Sequence, residues 1–237
     1  MNVILLGSQD CWLDDTTVLL NDRRAVHILE VLKPNIGDTL RVGIRDGALG
    51  TGQVVAMDGP TVKLAVQAGE PPPRRHRFEI VLSLPRPKML RRILRTVAEF
   101  GVSDLHLINS ARVEKSFWQS PLLGDDKVAE ALLTGMERSR DTVAPRVHQH
   151  RLFRPFVEDR LAEICSGRPC WIAEMGSTQA LSSAAAGPAV VMIGPEGGFV
   201  PFELDLAQAV IARPVHLGER LLSVDTALAA VLALGWG

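Results

Sequence analysis

Tyrosine is absent from the 237-residue sequence, and aromatic residues make up only 5% of it. A wide aromatic platform for stacking single-stranded bases is thereby excluded. Cysteine is scarce as well: Cys11, Cys165 and Cys170 are odd in number and form no CxxC pair. That pattern points to reduced thiols in a cytoplasmic protein rather than to a disulfide or zinc framework, and no metal is expected. No apolar run approaches the roughly 18 residues that a membrane-spanning helix needs. Met1 to Gly7 has no basic flank and too short an apolar stretch for a signal peptide, so no membrane partner is expected.

What is present is ordinary globular composition, 46% hydrophobic and 22% charged. This excludes a disordered chain, a coiled coil and a collagen-like fibre. A chain of this length buries about 72% of the surface its unfolded form exposes, enough for one or two domains without covalent staples. The net charge of −1 conceals an asymmetry. Between Arg74 and Trp118 stand ten Lys/Arg against four acids, leaving this stretch at +6. Such a block is either a surface for polyanions or a solvated helix face with its linker.

The first 70 residues read as a small β domain. Thr39–Ile44, Gly52–Met57 and Thr61–Val66 alternate as strands, separated by the turn signals Asp46-Gly47 and Asp58-Gly59-Pro60. Before them, 22–32 reads as a helix with Val26, Leu29 and Leu32 on one stripe, stopped by Pro34. Gly69 to Arg75 is a Pro-rich linker and marks the domain boundary, giving domains of 1–70 and 74–237.

Beyond the linker, strands alternate with helices. Phe78–Leu84, Asp104–Ile108, Cys170–Ala173, Ala189–Ile193 and Pro214–Leu217 read as strands. Lys88–Phe100, Lys127–Arg138, Pro201–Val210 and Thr226–Leu234 read as helices. The first of these helices has an apolar face of Leu90, Ile93, Leu94 and Val97, and a basic face of Lys88, Arg91, Arg92 and Arg95. The expected class is α/β with a mainly parallel sheet.

Two segments carry candidate chemistry. Ile193-Gly194-Pro195-Glu196-Gly197-Gly198-Phe199 runs from a buried strand through a Gly-rich turn into a helix. Glycines at the carboxyl end of a parallel strand let backbone approach a ligand, although a tight strand–helix turn needs them too. The turn matches neither GxGxxG nor GxxxxGK[ST], so a dinucleotide or P-loop site is not supported. The second segment, Leu217-Gly218-Glu219-Arg220-Leu221-Leu222-Ser223-Val224-Asp225-Thr226, ends a strand and caps the last helix.

Together these motifs resemble the SPOUT (trefoil-knot) methyltransferases, and within them the RsmE-type 16S rRNA (uracil-N3)-methyltransferases. His27–Leu32 with Ile36-Gly37-Asp38 resembles the start of that family's PUA-like β-barrel, and Glu99-Phe100-Gly101-Val102 its entry to the catalytic domain. The resemblance implies an N-terminal PUA-like RNA-binding barrel, a C-terminal knot and a homodimer acting on ribosomal RNA. It implies S-adenosylmethionine held by Ile193, Gly194, Glu196, Gly197, Gly198, Leu217, Gly218, Leu222, Ser223 and Thr226. Arg220 and Arg140 become candidate cations for the developing uracil anion, and Glu196 a candidate proton acceptor. Lys88, Arg91, Arg92 and Arg95 become candidate phosphate contacts. The chain departs from the family in reading Ser223-Val224-Asp225-Thr226-Ala227 for Arg-x-Glu-Thr-Ala, and Arg95-Thr96 for Gln-Lys. The alternatives are a catalytically silent RNA-binding relative, a SPOUT methyltransferase with another RNA target, or an unrelated nucleotide-dependent α/β enzyme.

Other patterns are weaker. His148 and His150 share a strand face without nearby acids or cysteines in sequence. Asp46 to Gly52 is a hairpin turn rather than a nucleotide loop, because no helix follows it. No GxSxG elbow is present, which argues against a hydrolase.

Overall fold

A computed structural model describes residues 1–184 and 186–236. The chain divides into two units, 1–74 with 133–144, and 75–132 with 145–237. The first unit carries β1 (Ile4–Leu6), β2 (Cys11–Trp12), β3 (Thr17–Leu20), β4 (Thr39–Ile44), β5 (Leu49–Asp58) and β6 (Thr61–Glu70). They form a mixed sheet in the order β1-β4-β5-β6-β3-β2, in which only β1 and β4 run parallel. Alternate residues Val18, Leu20, Val62 and Leu64 face the core, as strand periodicity requires.

Two features of this unit differ from the sequence expectation. Helix α1 (Arg23–His27) passes into a π-helical turn, Ile28–Leu32, that ends at left-handed Lys33. The helix turns Ala25 and Ile28 to the core and leaves Val26 exposed, and the extra residue of the π turn carries Leu32 outward as well. The expected stripe of Val26, Leu29 and Leu32 is therefore not the buried one. The second difference is that 133–144 belongs here, whereas the sequence division assigned it to 74–237. Asn2 and Val3 donate their N–H groups to the Glu137 carbonyl at 2.8 and 3.2 Å, and Arg23 forks onto the Glu137 carboxylate at 2.6 and 3.1 Å. Asp46 N–H donates to Thr142 O at 2.8 Å, and Gly43 lacks a Cβ where one would stand 2.6 Å from the Thr142 methyl.

Arg24 is one of the buried charged residues of the unit, with Glu137 and Asp141. It donates to Asp10, to Asp22 and to the Leu5 carbonyl, which together offset its desolvation. Beside it a hollow of about 710 Å³ is lined by Gly7, Ser8, Asp10, Trp12, Asp14, Asp15, Arg45 and Asp46, among others.

The second unit contains β7 (Phe78–Ser83), β8 (Asp104–Ile108), β9 (Arg146–His150), β10 (Cys170–Ala173), β11 (Ala189–Ile193) and β12 (Ala212–Val215). All five pairings are parallel, in the order β12-β10-β11-β7-β8-β9. Central β7 and β11 read as near-continuous apolar runs because both their faces are covered. Helices α2 (Pro87–Glu99), α3 (Asp125–Ser139), α4 (Phe153–Pro155), α5 (Leu161–Cys165), α6 (Leu181–Ala184), α7 (Pro201–Val210) and α8 (Val224–Leu234) complete the chain, with α3 running on into the first unit. Helix α2 buries Leu90, Ile93, Leu94 and Val97, the expected face.

The last strand lies two residues earlier than the expected Pro214–Leu217, and His216 makes only an isolated bridge to Ala180. Pro214 is tolerated because β12 pairs with β10 alone and occupies an edge. Among the described residues no helix is long and apolar enough to cross a membrane.

Candidate functional site

In a parallel sheet, ligands bind outside the carboxyl ends of the strands, where the strand order reverses. Here β7 leads outward to β8 and β9, while β11 and β10 lie on its other side. The carboxyl ends of β10, β11 and β12 meet at a cavity of about 450 Å³. That size suits a single small-molecule ligand.

The walls follow from local chemistry. Beyond β11 the chain turns sharply, with Gly198 N–H donating to the Pro195 carbonyl at 2.8 Å and Gly198 at φ +72°. At Gly194 a Cβ would stand 3.1 Å from the Phe199 ring, so glycine lets the ring close over the turn. Gly218, at φ +123°, bends the chain away from β12 in a conformation that side chains rarely adopt. Arg112, in the loop after β8, donates to the carbonyls of Gly197 and Gly198. Glu203, in the first turn of α7, is buried and accepts from Ala111 N–H at 2.7 Å and Val200 N–H at 3.0 Å. One carboxylate thus ties the loop after β8 to the start of α7.

Of the residues picked out for cofactor binding, Ile193, Gly194, Glu196, Gly197, Gly198, Leu217, Gly218 and Leu222 line the cavity. Ser223 and Thr226 do not line it; their hydroxyls lie 2.9 Å apart at the start of α8. Arg220 lines the cavity, whereas Arg140 belongs to the first unit, in left-handed backbone at φ +60°.

The sequence pattern matches accordingly: the family model for RNA methyltransferase domains covers residues 72–236. The chain belongs to the RNA methyltransferase family. Over 239 residues it is 27% identical to the ribosomal RNA small subunit methyltransferase E of Treponema pallidum (strain Nichols), covering 99% of this chain and 90% of the relative. A probable rRNA-methyltransferase from Porphyromonas gingivalis superposes with a TM-score of 0.74 at 22% identity, covering 100% of this chain and 96% of the other. The ribosomal RNA small subunit methyltransferase E of Neisseria gonorrhoeae, solved bound to S-adenosyl methionine, gives 0.76 at 19% identity, covering 98% and 95%.

This methyltransferase cavity has a wall that the sequence reading missed. Glu174, Met175 and Gly176 follow β10 and line it, as do Leu221, Val224 and Ala227. The signal was available: β10 was expected, and its carboxyl end is where the same rule looks for ligands.

The basic residues of α2 are not one free face. Lys88 and Arg91 are exposed, Arg95 is half-buried, and Arg92 pairs with Asp225 at 2.7 Å. The Ser223 hydroxyl and Arg92 hold the Asp225 carboxyl below its ordinary range.

A second polar cluster spans β7, β8 and β9. Glu79 accepts from Arg168 at 2.5 Å and from His106 Nε2 at 2.8 Å, while Asp104 accepts from Arg146 at 2.6 Å and His148 at 2.8 Å. With His106 Nε2 protonated towards Glu79, its Nδ1 takes a hydrogen bond from His150 Nε2, 3.1 Å away. Donor atoms of Asp104, His106 and His148 lie within 4.8 Å of one another. Two arginines already balance the two carboxylates, and the His106 and His148 rings stack 12° from parallel rather than converging on a point. This cluster is organised as a salt-bridge network.

His150 makes the fold acid-sensitive. Burial, with the neighbouring His106 and His148, pushes the His150 pKa down to about 4. The unfolded chain therefore takes up this proton first, and stability falls as the pH drops from about 6.5 to about 4. Allowing for solvent screening of a half-buried ring, the loss is roughly 1–2 kcal/mol. Urea titrations across that window should show a shallower decline for His150→Gln than for the parent; identical slopes would contradict the assignment.

Proposed function

We propose that the chain transfers a methyl group from S-adenosylmethionine to N3 of a uridine in 16S ribosomal RNA. The observation that carries this reading is the convergence of the Gly194–Gly198 turn and the Leu217–Leu222 loop on one cavity at the carboxyl ends of parallel strands. The similarity to small-subunit methyltransferases along nearly the whole chain supports the substrate class. It also supports a PUA-like barrel in the first unit, a trefoil knot formed by the C-terminal segment, and a homodimer.

The cavity's residues fit the cofactor. Its open glycine turns leave backbone groups free to approach a ligand, and Glu174 and Glu196 set carboxylates at the wall for hydroxyl or ammonium groups. The cofactor, when bound, supplies a methyl group made electrophilic by its sulfonium. The protein aligns the acceptor and excludes water. Uracil N3–H is a weak acid, so attack requires loss of its proton. In this reading Glu196 accepts that proton and Arg220 stabilises the charge left on the ring. Arg140 remains a second candidate cation, and Lys88, Arg91, Arg92 and Arg95 are proposed phosphate contacts that add affinity without reading sequence.

The test is a map of modified nucleotides in ribosomal RNA from a strain lacking the gene, with and without its restoration. A single N3-methyluridine should vanish and return. An unchanged map, together with no methyl transfer by the purified protein to small subunits or their naked RNA, would overturn the reading.

A further inference from the structure

The cavity wall formed by residues 222–227 is built around one charge. Leu222, Val224 and Ala227 line the cavity, and Asp225 stands among them with its side chain only 16% exposed. Both carboxylate oxygens are engaged: Oδ1 accepts from the Ser223 hydroxyl at 2.6 Å, and Oδ2 from Arg92 Nη1 at 2.7 Å. Arg92 arrives from α2, far away in sequence, and most of its own surface is open to solvent.

This arrangement separates two effects that usually travel together. An ion pair with one exposed partner adds little to global stability. Asp225 also sits in the first turn of α8, where the helix dipole favours a carboxylate with or without a partner. Arg92 is thus not needed to keep Asp225 ionised or α8 folded. What the pair supplies is orientation: with one oxygen on Ser223 and the other on Arg92, the carboxylate cannot rotate. Position 223 is a serine, so no guanidinium from that position is available to serve the loop.

We propose that Arg92 is a positioning residue which, through its ion pair with Asp225, fixes the Leu222–Ala227 segment as one wall of the cofactor cavity. The proposal rests on the cofactor reading given above. It assigns Arg92 a task apart from phosphate contact, since Arg92 acts here on the affinity for a small molecule.

Calorimetric titration of the full-length protein with S-adenosylmethionine tests it, using Arg92→Gln, Asp225→Asn and the double variant. Each single change should weaken binding about fivefold, and the double no further than the larger single, because all three break one interaction. Arg92→Lys should recover part of the loss, its ammonium reaching the carboxylate without the planar fork. The unfolding temperature should stay within about 3 °C throughout. Full affinity in Arg92→Gln, or losses that add in the double variant, would overturn the proposal. Failure of the unaltered protein to bind S-adenosylmethionine would instead remove the cofactor reading, and the role of Arg92 with it.

Discussion

Gly197→Val is expected to weaken S-adenosylmethionine binding by about 30-fold, or roughly 2 kcal/mol. The cause is not backbone strain, because Gly197 lies outside the left-handed region that favours glycine. A Cβ at this position would instead stand 2.9 Å from Cδ of Arg112. The arginine side chain would have to move, giving up its hydrogen bonds to the Gly197 and Gly198 carbonyls. The two branches of valine also occupy space at a turn that lines the cavity. Gly197→Ala should fall between the parent and valine. Calorimetric affinity checks this, with circular dichroism to establish folding; a folded valine variant binding at parental strength would remove the turn from the site.

Glu203→Ala is expected to cost about 3 kcal/mol of stability, since it removes a buried carboxylate and with it two charge-assisted hydrogen bonds. The donors are the N–H groups of Ala111 and Val200, and the acceptor is a side chain only 3% exposed, so the two bonds are shielded at the Glu203 end. For a protein of this size the unfolding temperature should drop by roughly 6–12 °C. Glu203→Gln keeps one acceptor oxygen and should lose about half as much. Cofactor affinity should fall alongside, because Arg112 follows Ala111 directly and the start of α7 follows the Gly-rich turn. Scanning calorimetry with and without S-adenosylmethionine measures both. A drop of less than about 2 °C would mean that these N–H groups find other acceptors.

The parts of the fold legible in the sequence are those written in local pattern. Five apolar residues followed by Gly-Pro-Glu-Gly-Gly read as a buried strand ending in a tight turn, and β11 with its turn is that element. The apolar face of α2 is equally local, since helical spacing alone selects Leu90, Ile93, Leu94 and Val97. Strand β9 is different: Arg146-Val147-His148-Gln149-His150 has a single apolar residue, because it is an edge strand whose Arg146 and His148 pair with Asp104 instead of filling a hydrophobic core. The packing of 133–144 with the first unit was equally hidden, as it depends on Glu137 meeting Asn2, Val3 and Arg23. The same holds within the site. The glycines announce themselves, but Arg112 on Gly197 and Arg92 on Asp225 are long-range pairs that spacing does not encode.

The hollow of the first unit has a consequence for how RNA can be handled. Asp10, Asp14, Asp15 and Asp46 line it, with Arg45 as the only cation among the lining residues. Hydrogen bonds from Thr16 and Thr17 hold the Asp14 carboxyl below its usual range, and bonds from Arg24 and Gly7 outweigh burial to do the same for Asp10. Hydrogen bonding thus favours the charged form of Asp10 and Asp14. A phosphate backbone is repelled from this side over roughly 8 Å of physiological buffer. With four carboxylates against one cation among its lining residues, the hollow offers a polyanion no attractive surface. Added salt screens that repulsion as it screens any attraction between a polyanion and the cations elsewhere on the chain.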